Sequence, residues 1–330
     1  MAQHSHIAIV WFRKDLRLQD NPALQAAIDH GGPIVPLFIW DSNSSEEWAM
    51  GSASKWWLHQ SLISLDKALT GLGSRLTICC GNYSATLEKI IRQIGATAVF
   101  WNRDYEPSFR IKEQQIMKRL EKLNVTVQTL HGSWLFDPDA LVNKSGKAYQ
   151  VFTPFWKHCL TELTPNKPVP SPSRLPDPVN VSNSIPIQSL ELEPKIDWAS
   201  GLRDTWNPGE AGANRQFSYF LKNEIGQYET DRDRPDLRGS SRLSPHLHFG
   251  EISPRLIWHD VTDGMNSKKE KSLFRNGQAF LRQLGWREFA NHLLHHFPHT
   301  ATQPLRSKFK RFPWKTNRVH LKAWQKGKTG

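Results

Sequence analysis

The first 130 residues alternate short apolar runs with longer amphipathic stretches, and that alternation constrains the fold more than any other feature. His6–Phe12 and Pro33–Trp40 read as buried strands, and Leu76–Cys80, Thr97–Trp101 and Val125–Leu130 follow as three more. A short, nearly continuous apolar run suits a strand covered on both faces. Helical patterns lie between them over 21–30, 52–72, 84–94 and 107–123. In the second of these, Leu58, Leu62, Leu65 and Leu69 recur at i, i+4, i+7 and i+11, one apolar stripe of a helix. Strand and helix in repeated alternation predict an α/β domain, a doubly wound parallel sheet with helices on both faces. No Gly-x-Gly-x-x-Gly follows the first strand, so the sequence does not support a dinucleotide site of the usual kind there.

The character changes near residue 164. Of 21 prolines, eight fall within 165–194. Proline lacks an N–H and fixes φ, so this stretch reads as an extended surface connector. Helical patterns resume at Glu210–Gly226, Ser253–Asp260 and Leu273–Phe297. The expected organisation is an α/β domain over 1–135, a connector over 136–205 and an all-α domain over 206–330, in keeping with a length too great for one ordinary core. Cys79 and Cys80 lie in an apolar run and read as small core residues, and no cysteine has metal-ligand spacing. No run reaches the roughly 18 apolar residues of a membrane span. Met1–His6 lacks the layout of a signal peptide, so the expectation is a cytoplasmic protein.

Charge narrows the choice of partner. The chain carries a formal +12, but residues 1–200 hold 20 basic against 19 acidic residues. Residues 264–330 hold 15 basic residues and only Glu270 and Glu288 as acids. A field of one sign that strong favours a polyanion, and nucleic acid is the commonest. Fourteen tryptophans, some interleaved with Arg and Lys, add rings that can stack on bases while cations hold phosphates.

Three segments carry candidate chemistry. In Arg238-Gly-Ser-Ser-Arg-Leu-Ser-Pro245, a Gly allows close backbone approach, Ser240, Ser241 and Ser244 add hydroxyls and Arg242 adds charge. Ser244-Pro245 is a good helix start, and a helix N-terminus seats phosphate. Over Gln278–Phe297, Gln283, Trp286, Arg287 and Ala290 fall on one helix face, with Phe280, Leu284, Phe289 and Leu294 toward the core. An aromatic beside an amide and an Arg suits an extruded base; the competing reading is a core Trp with a solvated Arg. His292, His295 and His296 lack carboxylate partners for a metal, and none is expected. Lys308-Phe-Lys-Arg-Phe-Pro-Trp-Lys315 interleaves aromatics and cations; Phe309, Phe312 and Trp314 are favoured as core residues, the cations as phosphate contacts.

Taken together, these segments resemble the DNA photolyase and cryptochrome family along the whole chain, with bacterial cyclobutane-dimer photolyases the most similar. The resemblance rests on Val10-Trp-Phe-Arg-Lys-Asp-Leu-Arg-Leu18 with Asp20-Asn-Pro22, Trp101-Asn-Arg-Asp-Tyr-Glu-Pro107 and Tyr149-x-Val-Phe-Thr-Pro-Phe155. The most specific segments are Gly226-x-Tyr-Glu229, Gly239–Gly250 and Phe280–Phe289. The resemblance implies light-driven, FAD-dependent repair of pyrimidine dimers, or, in cryptochrome relatives, photoreception. It places Tyr228, Ser240, Ser241, Arg242, Leu243, Ser244 and Phe280 at the flavin. It places Trp286 on the lesion, Arg232 and Arg287 on damaged DNA, and Trp314 as the outer tryptophan of an electron-transfer chain. Gln283 stands where dimer-repairing members usually carry Glu, and Gln also occurs in relatives that repair another photoproduct or only signal. Ser108 and Phe109 stand where folate-binding relatives tend to have Asn and Glu, so a folate, a deazaflavin or no second chromophore remain open. Family members continue beyond the Ala323–Gly330 segment into further helices bearing the carboxylates, Asn and two inner tryptophans around the flavin ring. The resemblance thus implies a helical domain incomplete at its C-terminus, in a monomer; a product without FAD that only binds nucleic acid is the remaining alternative.

Overall fold

The structure is a computed structural model that describes residues 6–41, 49–176, 178–268 and 270–329. Strands β1 (Ala8–Phe12), β2 (Ile34–Trp40), β3 (Thr77–Cys80), β4 (Ala98–Asn102) and β5 (Thr126–Leu130) form one parallel sheet in the order β3-β2-β1-β4-β5. The crossovers are α1 (Pro22–His30), α2 (Ser52–Gly71), α3 (Tyr83–Ile94) and α4 (Pro107–Glu121). All five β1 residues are buried because both faces are covered. Ala8, Val10 and Phe12 join the core that holds the Leu58/Leu62/Leu65/Leu69 stripe of α2. Ile9 and Trp11 face the other way, toward Leu87 and Ile90 of α3 and Ile116 and Leu120 of α4. Each fully buried leucine of such a stripe stabilises the fold by about 1.5–3 kcal/mol.

Local chemistry sets the helix ends. Asn21 caps α1 by accepting from Leu24 N at 3.2 Å, and Pro22 occupies the first turn, where its missing N–H costs nothing. Asn82 caps α3, and Gly95 ends it at φ 66°, the left-handed region that glycine tolerates. The core reading holds for Cys79, which is buried, but not for Cys80, which is exposed. Cys80 shares a face with the buried Ile78, so its exposure comes from its place as the last residue of the edge strand β3, not from alternation.

Among its described residues the Pro-rich segment forms no helix beyond a 3-10 turn at Ile187–Leu190, yet it is well anchored. Leu175 N donates to Leu72 O, Ile185 N donates to Ile78 O, and Leu175 and Val181 are buried in the two cores flanking the sheet.

The helical part comprises α5 (Phe152–Glu162), α6 (Ser200–Thr205), α7 (Glu210–Asn223), α8 (Tyr228–Asp231), α9 (Ser244–His248), α10 (Pro254–Lys268), α11 (Lys271–His296) and α12 (Arg318–Gln325). A separate core joins Phe155, Phe217, Phe220, Ile257, Phe280 and Phe289. α10 runs two turns beyond the expected Asp260 because Ile257, Val261 and Met265 continue one buried stripe. Ser244 is the first residue of α9 rather than its cap, and that helix has only five residues. The core reading of Phe309, Phe312 and Trp314 fails: they are 49%, 54% and 81% exposed. Among the described residues no element packs over this basic segment, so its rings lie on the surface.

A buried polar seam joins the sheet to the helices. Arg17, 1% exposed, donates to the carbonyls of Gly250, Asp20 and Gly132. Asp20, fully buried, accepts from Arg255 Nε at 2.9 Å and Nη2 at 2.8 Å, and from the Ser253 hydroxyl. Glu210 accepts from the backbone N–H groups of Leu18 and Gln19, both at 2.8 Å. Glu251 accepts from Trp57 Nε1 at 3.0 Å and Gly209 N at 2.7 Å, and pairs with His246. Charges are buried here only with partners on both sides, so the seam specifies how the helices meet the loop after β1.

Candidate active site

That docking encloses a cavity of about 610 Å³ between the carboxyl ends of β1 and β4 and one face of α11. In the order β3-β2-β1-β4-β5 the chain reverses direction across the sheet at β1/β4, the place where open α/β sheets hold ligands. The sheet side is lined by Arg13, Lys14, Asp15, Asn102, Asp104 and Glu106, and the α11 side by Phe280, Gln283, Leu284, Arg287, Ala290, Asn291 and Leu294. Tyr228, Ser241, Leu243 and Ser244 form a third wall.

The third wall is built by close approach. A Cβ on Gly239 would fall 2.3 Å from the Asp231 carbonyl oxygen, so only glycine lets the Ser240–Ser244 loop lie against the end of α8. Arg242 takes φ 53°, which turns its guanidinium over the Trp206 ring, 4.2 Å from the centroid. Gln216 Nε2 fixes the loop through the Ser241 carbonyl at 3.1 Å. Tyr228 packs edge-on to Phe280, with 5.3 Å between ring centroids. Burial raises the Tyr228 pKa, with Arg232 opposing, so this hydroxyl keeps its proton as a donor.

On α11, Glu288 is buried and accepts from Leu135 N at 2.9 Å and from Arg287 Nη1 at 3.2 Å. Burial pushes its pKa up to about 7 despite the arginine. Arg287 also donates to Ser133 O at 3.0 Å and stacks 3.8 Å over the Trp134 ring. It therefore reaches the cavity as a held, planar donor rather than a free surface cation. The three histidines at the end of α11 are committed to the protein: His292 Nε2 accepts from Tyr149 N, His295 pairs with Asp139, and His296 meets Pro138 O. Burial holds the His292 pKa down to about 4.

Of the residues expected at the site, Tyr228, Ser241, Leu243, Ser244, Phe280, Gln283 and Arg287 come together at this cavity. Ser240 and Arg232 lie exposed beside the loop, and Arg242 points to Trp206. Trp286 departs from the face it was expected to share with Gln283 and Arg287. Its ring stacks on Phe152 at 3.6 Å between centroids, where apolar area is available, and it stays 44% exposed. Trp314 lies on the surface. Arg13, Lys14, Asn102, Asp104 and Glu106 were not singled out as site residues from the sequence. The signal that finds them is position, immediately at or after a strand's carboxyl end.

A second cavity, about 400 Å³, opens at the carboxyl ends of β1 and β2 and is lined by Phe38–Asp41, Lys55, Tyr83, Ser108 and Phe109. Arg13, Lys14, Asp104 and Glu106 border both cavities. Arg13 packs between Trp11 and Phe109, with centroids 4.9 and 4.2 Å away.

This architecture, a doubly wound sheet docked through buried ion pairs to a helical layer around a cavity lined by α11, is that of the photolyase and cryptochrome family, and the chain belongs to it. The family described as DNA photolyase matches residues 8–173, and that described as FAD binding domain of DNA photolyase matches residues 280–330. A deoxyribodipyrimidine photo-lyase of Agrobacterium fabrum is 38% identical over 98% of this chain and 66% of its own length. Cryptochrome-2 of Arabidopsis thaliana is 34% identical over 98% of this chain and 54% of its own. The crystal structure of a bacterial class III photolyase from Agrobacterium tumefaciens superposes with a TM-score of 0.91 at 37% identity, covering 98% of this chain and 66% of that one. The chain thus spans just under two thirds of the photo-lyases and about half of the cryptochrome. Among the described residues, no helix is long and apolar enough to cross a membrane.

Proposed function

We propose that the protein is a deoxyribodipyrimidine photo-lyase, an FAD-dependent carbon–carbon lyase that uses light to repair cyclobutane pyrimidine dimers in DNA. The observation that carries this reading is the convergence of the Ser241–Ser244 loop, Tyr228 and the Phe280/Gln283/Arg287 face of α11 on one cavity. The residues fit the group: serine hydroxyls and tightly packed backbone suit a diphosphate, and Tyr228 and Phe280 offer rings beside it. Bound in its reduced form, FAD supplies a light-excited electron for splitting the dimer.

The chain's own residues bind and orient. Ser241, Leu243 and Ser244 hold the diphosphate end, while Ser240 and Arg242, turned to the surface and to Trp206, flank that loop. The Gln283 amide donates a hydrogen bond to a carbonyl on the lesion's base edge; it cannot deliver a proton as a carboxylic acid can, so its part is orientation. Trp286 stacks on the extruded bases, while Arg287 and Arg232 meet the DNA backbone. The basic 264–330 region adds sequence-independent attraction. Trp314, exposed on the surface, serves as the point where electrons enter from an external reductant. If the protein takes a second chromophore, a folate or a deazaflavin, the smaller cavity would hold it, with Phe109 and Tyr83 supplying rings. The Arg13/Lys14 wall shared by the two cavities keeps such an antenna close to the flavin site. The protein acts as a cytoplasmic monomer, with the α/β domain over 1–135, the connector over 136–205 and the flavin-binding helices over 206–330.

Gln283 favours a second reading, a photoreceptor that holds FAD without repair. One preparation separates the two: FAD released on denaturation is quantified, and affinity for a dimer-containing oligonucleotide is compared with an undamaged twin. Flavin together with a preference for the dimer supports the lyase. Flavin with no preference supports the photoreceptor, and absence of flavin overturns both.

A further inference from the structure

We infer that Phe152 is a positioning residue that holds Trp286 as the outermost layer of a prebuilt aromatic stack, so that an extruded pyrimidine adds to it as the next layer. The inference rests on the lyase reading above and assigns a role to a side chain outside the cavity. Phe152 opens α5 and is 5% exposed. Its ring lies 3.6 Å from that of Trp286 with 8° between the planes, closer and flatter than the edge-on or tilted contacts common in this core. On the inner side Phe152 is nearly parallel to Trp156, with 13° between planes and 6.2 Å between centroids.

Trp156 is itself fixed. A Cβ at Gly285 would meet its Cε3 at 2.5 Å, so α11 presses its backbone against the indole one residue before Trp286. Trp258 meets Trp156 edge-on at 5.9 Å. Outward, Trp286 has Phe152 on one face and the edge of Phe289 at 6.0 Å, and the ring remains 44% exposed. The open part of the indole offers apolar area on which one further flat ring can pack. The Arg282 guanidinium sits 5.4 Å from the Phe152 ring and is exposed on the same stretch of α11, next to where a flanking phosphate would lie. An indole held in one plane loses little freedom when a base stacks on it, and preorganisation of this kind sets affinity and selectivity.

The test uses the purified full chain with two fluorescently labelled oligothymidylates, one with a central cyclobutane dimer and one undamaged, read by anisotropy in the dark. The ratio of the two affinities does not depend on the fraction of folded protein, so it separates positioning from stability. Phe152→Leu removes the ring and is expected to cut the dimer preference by about threefold to tenfold. Phe152→Tyr restores the ring and is expected to retain it. Trp286→Ala is expected to lose roughly tenfold or more, with Phe152→Leu adding nothing further in that background. If Phe152→Leu lowers the melting temperature yet keeps the ratio while Trp286→Ala loses it, the positioning role is overturned and the lyase reading stands. If the unmodified chain shows no dimer preference, both are overturned.

Discussion

Replacing Asp20 by Asn is expected to destabilise the protein by about 3–5 kcal/mol, the range for breaking a buried ion pair from one side. Asp20 is fully buried and accepts two charge-assisted hydrogen bonds from Arg255, one from Ser253 and one from Val169 N at 3.1 Å. Without its charge, the Arg255 guanidinium, whose side chain is 6% exposed, keeps one neutral amide oxygen and the His131 carbonyl at 3.3 Å as acceptors, and no counter-charge at that position. Asn is the informative substitution because Asp20 has φ 52°, which Asn tolerates and Ala does not. The measurement is urea unfolding of the full chain at neutral pH, followed by circular dichroism. Adding Arg255→Met removes the stranded charge, and the double variant is expected to recover at least half of the loss. A loss below about 1 kcal/mol in Asp20→Asn, or a double variant as unstable as the sum of the singles, would refute the claim that this pair organises the docking.

Gly285→Ala is expected to cost about 1–3 kcal/mol by overpacking against the buried Trp156 indole, and an unchanged urea midpoint would contradict it. The His292 pKa is depressed to about 4, so its contribution is present above about pH 6.5 and lost as pH falls toward 4. Glu288, raised to about 7, has the opposite sign, with stability lost as pH rises from about 4.5 to 7. Relative to the unmodified chain, His292→Gln is expected to flatten the acid limb and Glu288→Gln the neutral limb, each by about 3 kcal/mol in denaturation series across that range. Affinity for single-stranded DNA is expected to fall steeply with salt, and neutralising Lys308, Lys310 and Arg311 together to reduce the logarithmic slope by about 2, measured by titration at several salt concentrations.

The sheet was legible because its signals are local. Buried strands such as Ala8–Phe12 are short apolar runs, and the stripe on α2 follows one helical period. The cavity lining was legible only where its residues cluster in sequence, as in Ser241, Leu243 and Ser244 and in Phe280, Gln283 and Arg287. Arg13, Asp104 and Glu106 escaped because they are ordinary charged loop residues until the sheet order brings β1 and β4 together. Periodicity puts Trp286 on one helix face with Gln283 and Arg287, but its ring leaves that face for Phe152, 134 positions away, and no spacing rule anticipates that contact. Phe309, Phe312 and Trp314 were misread as core because hydrophobicity alone does not say whether a partner surface is present.

The central claim is light-driven dimer splitting, and chromatographic quantification of dimer-containing oligonucleotide tests it most directly. Reduced, flavin-loaded protein is incubated with the oligonucleotide under blue or near-ultraviolet light, with a dark twin. The account predicts loss of dimer and matching recovery of intact thymines in the light only, over many turnovers per chain. Protein that holds FAD and prefers the dimer yet leaves it intact under illumination would contradict it.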